Sequence, residues 1–98
     1  MKLLEGKVAI VTGAARGIGE GIAIKFAEQG ANVDFSYVSE SSREKAVALE
    51  AKLQAMGVKA KAYQSNAGDL AQCESFVNDV LKEFGTVDIC VNNAGISK

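Results

Sequence analysis

Ninety-eight residues, 48% of them apolar and 23% charged, with a net charge of −1, describe a globular chain no larger than one small domain. That balance lacks the basic footprint that nucleic acid or an anionic membrane selects, and no apolar run reaches the roughly 20 residues needed to span a bilayer. With no histidine and only two cysteines, the chain offers neither a disulfide framework nor a recognisable zinc-ligand set.

The start, Met1-Lys2-Leu3-Leu4-Glu5-Gly6-Lys7, reaches charged residues too early for the apolar core of a signal peptide. A cytoplasmic protein is expected. Lys7-Val8-Ala9-Ile10-Val11-Thr12 is a short continuous apolar run, the pattern of a strand buried on both faces. A glycine-rich turn follows, and then Ile18, Ile22 and Phe26 recur at helical spacing until Gly30 ends the helix. Residues 32–38, with Val33, Phe35 and Tyr37 alternating, read as a second strand. Ser41 and Glu44 have the spacing of a capping box at the start of a second helix, whose buried stripe is Ala46, Leu49, Leu53 and Met56 and whose stop is Gly57. The charges around it, Arg43, Glu44, Lys45, Glu50 and Lys52, are expected to form a solvated face.

Residues 60–64 predict a third strand. Asp69 is an N-cap for a third helix, in which Cys73, Phe76, Val77, Val80, Leu81 and Phe84 make the strongest helical stripe of the chain before Gly85. Residues 87–91 predict a fourth strand, closed by Asn92-Asn93-Ala94-Gly95. Cys73 and Cys90 lie inside apolar patterns and are expected as buried thiols.

Strand-helix alternation of this kind calls for a parallel sheet with right-handed crossovers. The expected fold is α/β, a Rossmann-like doubly wound sheet of strand order 3-2-1-4, incomplete in this segment. Strand order reverses between the first and fourth strands, and open α/β sheets bind ligands at that switch point. The turns at residues 13–19 and 92–95 meet there.

In the first of them, Gly13-Ala14-Ala15-Arg16-Gly17-Ile18-Gly19, Gly13 turns the chain out of the strand. Gly17 and Gly19, lacking Cβ, let a pyrophosphate approach the backbone and the helix N-terminus. A tight turn without a ligand is the alternative. The spacing Gly-x-x-x-Gly-x-Gly departs from the commoner Gly-x-Gly-x-x-Gly. Thr12 to Gly19 together with Asn92-Asn93-Ala94-Gly95 resembles the short-chain dehydrogenase/reductase family, and residues 4–13 and 87–96 resemble its bacterial 3-oxoacyl-(acyl-carrier-protein) reductase members.

An NAD-type site of this kind places a carboxylate at the end of the second strand to bond the ribose diol. Tyr37-Val38-Ser39 stand there instead, and Asp34, earlier in the strand, is expected to point elsewhere. Arg16 in the turn can offer a guanidinium to a 2′-phosphate, which points to NADPH (NADP) as cofactor; a solvated loop cation is the alternative. The resemblance implies cofactor contacts from Gly13, Ala15, Arg16, Gly17, Ile18 and Gly19, from Val38 and Ser39, from Asn66 and Ala67 at the adenine, and from Asn93, Ala94 and Gly95 at the nicotinamide-side ribose. Asn66 is otherwise a turn former. Asn92 is expected to tie the strand end to neighbouring backbone.

The family's proton donor is a Tyr with a Lys four residues later, assisted by a Ser. Here Tyr37 is followed by Ser41 and Tyr63 by Ala67, so no catalytic residue is assigned. The expectation is therefore that residues 1–98 are the N-terminal cofactor-binding part of a single Rossmann domain and inactive alone, the catalytic part lying further along. A non-catalytic nucleotide-binding module, or a reductase of another carbonyl, are the alternatives. For the whole protein the resemblance implies reduction of an acyl-carrier-protein-linked 3-oxoacyl thioester in fatty acid biosynthesis, by a homotetramer without metal, nucleic acid or membrane.

Overall fold

The computed structural model describes residues 2–14, 17–66 and 68–93. β1 (Val8–Val11), α1 (Gly17–Glu28), β2 (Asn32–Tyr37), α2 (Arg43–Ala55), β3 (Ala60–Gln64), α3 (Leu70–Phe84) and β4 (Ile89–Val91) follow one another, with a 3-10 turn at Glu40–Ser42. All pairings are parallel and the sheet order is β3-β2-β1-β4, the doubly wound arrangement expected of the sequence.

Strand alternation divides the buried residues between two faces. Ala9, Val11, Val33, Phe35, Tyr37 and Ala60 meet Ala23 and Ala27 of α1 and Ala46, Leu49 and Leu53 of α2. Val8 and Ile10 meet Phe76 and Val80 of α3 on the other face. The stripes expected of α2 and α3 are thus the ones that dock, although Leu81 stays 40% exposed at the margin. Asp69 caps α3 as expected, its carboxylate accepting from the Gln72 N–H at 3.2 Å, and Gly85 ends the helix at φ 81° with its N–H on the Leu81 carbonyl at 2.7 Å.

Four expectations fail. The buried face of α1 is Gly19, Ala23 and Ala27, while Ile18 is 72% exposed and Ile22 and Phe26 are half-buried. The small residues win because a helix carrying them can sit closer to the sheet than one carrying Ile and Phe. The capping box does not form: α2 starts at Arg43 after Ser42, with no side-chain cap, because Ser39 draws the hydroxyls of Ser41 (2.9 Å) and Ser42 (3.2 Å) to itself. Cys90 is exposed, since β4 is an edge strand, and Cys73 of α3 is half-buried. β4 is also shorter than expected because Asp88 leaves the ladder to clamp β1: its carboxylate accepts from the Val8 N–H at 2.9 Å, and its own N–H donates to the Val8 carbonyl at 2.9 Å.

Asp34 sits beside Ile10 on the α3 face, wholly buried, with neither carboxylate oxygen hydrogen-bonded among the described residues. Burial first, and then the neighbouring Glu83, push its pKa from the ordinary 3.8 up to about 8, against the pull of Lys61. The unfolded chain ionises near 3.8 and the folded one near 8, so the penalty is absent in acid, grows between those values and is constant above them. Thermal unfolding should therefore show stability falling from about pH 5 to about pH 8, and Asp34→Asn should flatten that fall, exceeding the parent protein most at the alkaline end.

Candidate functional site

The carboxyl ends of β1 and β4 are adjacent in the sheet, and the two turns leaving them are bonded together. Thr12 donates its N–H to the Val91 carbonyl at 3.0 Å, and its hydroxyl donates to Asn92 Oδ1 at 3.2 Å, so Asn92 ties the two turns through a side chain and not through the backbone expected of it. Asn93 is buried to 7% exposure, and its Nδ2 donates to the Gly13 carbonyl at 3.2 Å. From the other side, Ser36 of β2 holds the same turn: its Oγ accepts from the Gly13 N–H at 3.3 Å and its carbonyl from the Ala14 N–H at 3.1 Å. The glycine turn is gripped by both neighbouring strands.

Gly13 has φ 66° and Gly17 φ 68°, left-handed backbone that a side chain strongly disfavours. A Cβ on Gly17 would meet nothing within 4 Å among the described residues, so none of them closes the space outside this residue at the start of α1. Gly19 is the opposite case. A Cβ there would lie 2.6 Å from Asn93 Nδ2, 2.6 Å from the Gly13 carbonyl and 2.9 Å from Ala14 Cα. One glycine leaves the helix terminus accessible and the other lets it close onto the turn. The first turn of an α-helix has unpaired N–H groups and the positive end of its dipole, and an anion fits there. Ala15, expected to contact the cofactor at this turn, and Arg16, expected at its 2′-phosphate, lie outside the described residues, as do Ala67, Ala94 and Gly95.

At the end of β2, Val38 is 50% exposed and Ser39 exposed, with the Val38 carbonyl held by Gln64 Nε2 at 3.1 Å. No carboxylate occupies residues 37–39. Glu40, the next residue, is paired with Arg43 at 3.1 Å, and Asp34 faces away beneath α3. After β3, the side-chain oxygen of Asn66 accepts from the Gly68 N–H at 2.9 Å, so this residue does form the turn weighed as its alternative role. Ile18 stands exposed on the first turn of α1. Gly13, Gly17, Ile18, Gly19 and Asn93 therefore share the mouth of β1, with Val38 and Ser39 at the end of β2 and Asn66 after β3, all at the carboxyl side of one sheet.

Neither tyrosine is placed to give up a proton. Tyr37 is 7% exposed in the core. Tyr63 lies against Phe76 with ring centroids 4.9 Å apart, and burial, then the charges of Asp34, Glu83 and Asp79, push its pKa up to about 12. The residue that the sequence reading missed is Ser36. A small polar residue near the carboxyl end of the strand was its only signal.

The chain matches, over residues 7–98, the family described as short chain dehydrogenase. The chain belongs to that family. It is 44% identical over 92 residues to the 3-oxoacyl-(acyl-carrier-protein) reductase of Staphylococcus aureus, an alignment that covers 94% of this chain and 37% of that protein. Among solved structures, a blue fluorescent protein from a metagenomic library in complex with NADPH is 46% identical with a TM-score of 0.92, covering 97% of this chain and 38% of that one. A short chain dehydrogenase from Burkholderia cenocepacia in complex with NADP is 43% identical with a TM-score of 0.90, over 97% of this chain and 38% of that one. The chain thus spans less than two-fifths of these relatives' length. No helix among the described residues is long and apolar enough to cross a membrane.

Two glycines of α1, Gly19 close-packed and Gly21 in open surroundings, make a test of the geometry. Gly19→Ala should lower stability by about 1–3 kcal/mol in denaturant titration, because backbone on both sides must move. Gly21→Ala, two residues on in the same helix with nothing within 4 Å of its Cβ, should raise it by about 0.5–1 kcal/mol.

Proposed function

We propose that this chain is the cofactor-binding part of an NADPH-dependent reductase. The observation that carries the reading is the gripped turn: left-handed Gly13 and Gly17, space outside Gly17 that no described residue closes, and the start of α1 behind them. A dinucleotide pyrophosphate fits that arrangement by charge and by clearance. Gly13, Ala15, Gly17, Ile18 and Gly19 would line it, and Asn66 and Ala67 would meet the adenine. Asn93, Ala94 and Gly95 would line the nicotinamide-side ribose, Asn93 acting through its hold on the Gly13 carbonyl.

The preference for the 2′-phosphate rests on charge. Residues 37–39 supply no carboxylate to repel it, Glu40 is neutralised by Arg43, and Ser39 offers a hydroxyl. Arg16 would complete the subsite with a planar guanidinium. The NADPH and NADP named for the two structural relatives support the same reading.

When bound, NADPH supplies the hydride for carbonyl reduction. The proton must come from a group that none of the described residues provides, since Tyr37 is in the core and Tyr63 holds its proton more tightly than an ordinary phenol. For the whole protein we propose reduction of a 3-oxoacyl thioester, delivered on acyl carrier protein, to the 3-hydroxyacyl form, in a cytoplasmic homotetramer. The support is the likeness to the Staphylococcus aureus reductase.

Arg16→Ala should weaken NADPH binding by roughly 10- to 100-fold in calorimetric titration while NADH changes little, the range expected for a lost hydrogen bond to a charged group. Equal loss for both cofactors would remove Arg16 from the 2′-phosphate. NADPH oxidation by the whole protein on an acetoacetyl thioester, followed by absorbance, tests the substrate class; no turnover with that thioester would reject it.

A further inference from the structure

β3 is an outer strand of the sheet, and its free side is not bare. The Lys59 carbonyl accepts from the Val33 N–H at 2.9 Å, and the Ser65 N–H donates to the Tyr37 carbonyl at 2.9 Å, so the odd-numbered residues turn their backbone groups toward β2. By alternation, Ala60, Ala62 and Gln64 turn theirs outward. Outward N–H and C=O groups are what a further strand would pair with.

Two of these groups are taken by side chains of α2. Glu50 Oε2 accepts from the Ala62 N–H at 2.8 Å, and Gln54 Nε2 donates to the Ala60 carbonyl at 2.9 Å. Glu50 and Gln54 are four residues apart in a helix, so both reach the strand from one face. They present an acceptor to an N–H and a donor to a C=O, the complement that a pairing strand would present. Glu50 is also half-buried, unlike the freely solvated charge expected of it, and its bond is charge-assisted. A strand approaching this edge would have to displace both side chains and leave a carboxylate beside its own carbonyls.

We propose that Glu50 and Gln54 guard the sheet edge, occupying the pairing groups of Ala60 and Ala62 and so preventing β3 from adding the β3 of a second copy of this chain. A second copy is the relevant intruder because its edge is identical and a two-fold contact between two such edges closes on itself.

The experiment is sedimentation velocity on the protein and its variants over a rising concentration series, with circular dichroism as the check of folding. Glu50→Ala/Gln54→Ala should show a weight-average mass that rises above that of the parent protein with concentration, with unchanged dichroism. Adding Ala62→Pro, which deletes the uncovered donor at an edge position where proline is tolerated, should return the mass to that of the parent protein. Glu50→Gln keeps an acceptor and should behave as the parent protein does. A double variant that sediments like the parent protein, or a triple variant that still associates, would overturn the proposal. Should the double variant lose its dichroism, Glu50→Ala alone decides by the same readout, association supporting the guard and parental behaviour rejecting it.

Discussion

The contact on which the site depends is the one between the Asn93 amide, the Gly13 carbonyl and the bare Cα of Gly19. Asn93 donates to Gly13 at 3.2 Å, and a Cβ on Gly19 would intrude on both partners at 2.6 Å. The end of β1 and the first turn of α1 are thereby fixed at one point with the end of β4, some eighty residues away in the chain. Ser36 adds β2 to the same point through Gly13 and Ala14. The turn needs this support because its left-handed glycines have no intrinsic preference for the conformation they hold. Gripping from both sides replaces the stiffness that glycine lacks.

Much of this was readable in the residues. Apolar runs located β1 and β4, alternation located β2, and residues 60–64 coincide with β3 as found. Buried parallel strands are near-continuous in apolar character, and that signal survives without any knowledge of their neighbours. Strand order followed from handedness and from the glycine turn. What could not be read was which stripe of α1 docks, because periodicity weighs Ile18, Ile22 and Phe26 above Gly19, Ala23 and Ala27, whereas the sheet selects for closeness. Nor could the fate of Ser41 be read. Its hydroxyl had a nearer partner in Ser39, a competition that depends on loop geometry. At the site, the glycines and Asn93 announced themselves by motif, but the grip of Ser36 depends on which face of β2 it occupies relative to the turn.

The two faces of the sheet have different characters. The α1 and α2 side is built of small, aliphatic and aromatic residues, with no buried charge among the described residues, and it supports the turn. The α3 side holds Asp34 wholly buried, together with Tyr63 and the nearby Glu83 and Lys61. A carboxylic acid buried without partners costs stability unless it keeps its proton. That cost falls on the face away from α1, so it does not disturb the packing that positions the glycines.

The stripe of Gly19, Ala23 and Ala27 has a consequence for how well the turn is held as the protein warms. Glycine and alanine have no side-chain rotamers to freeze, so docking this stripe forfeits almost no side-chain entropy. A contact made by Leu or Met would loosen through rotamer exchange; on the helix side this one is made by backbone and methyl groups alone. The mouth of β1 should therefore behave as a fixed bearing surface, with thermal motion displaced to the longer side chains at the rim.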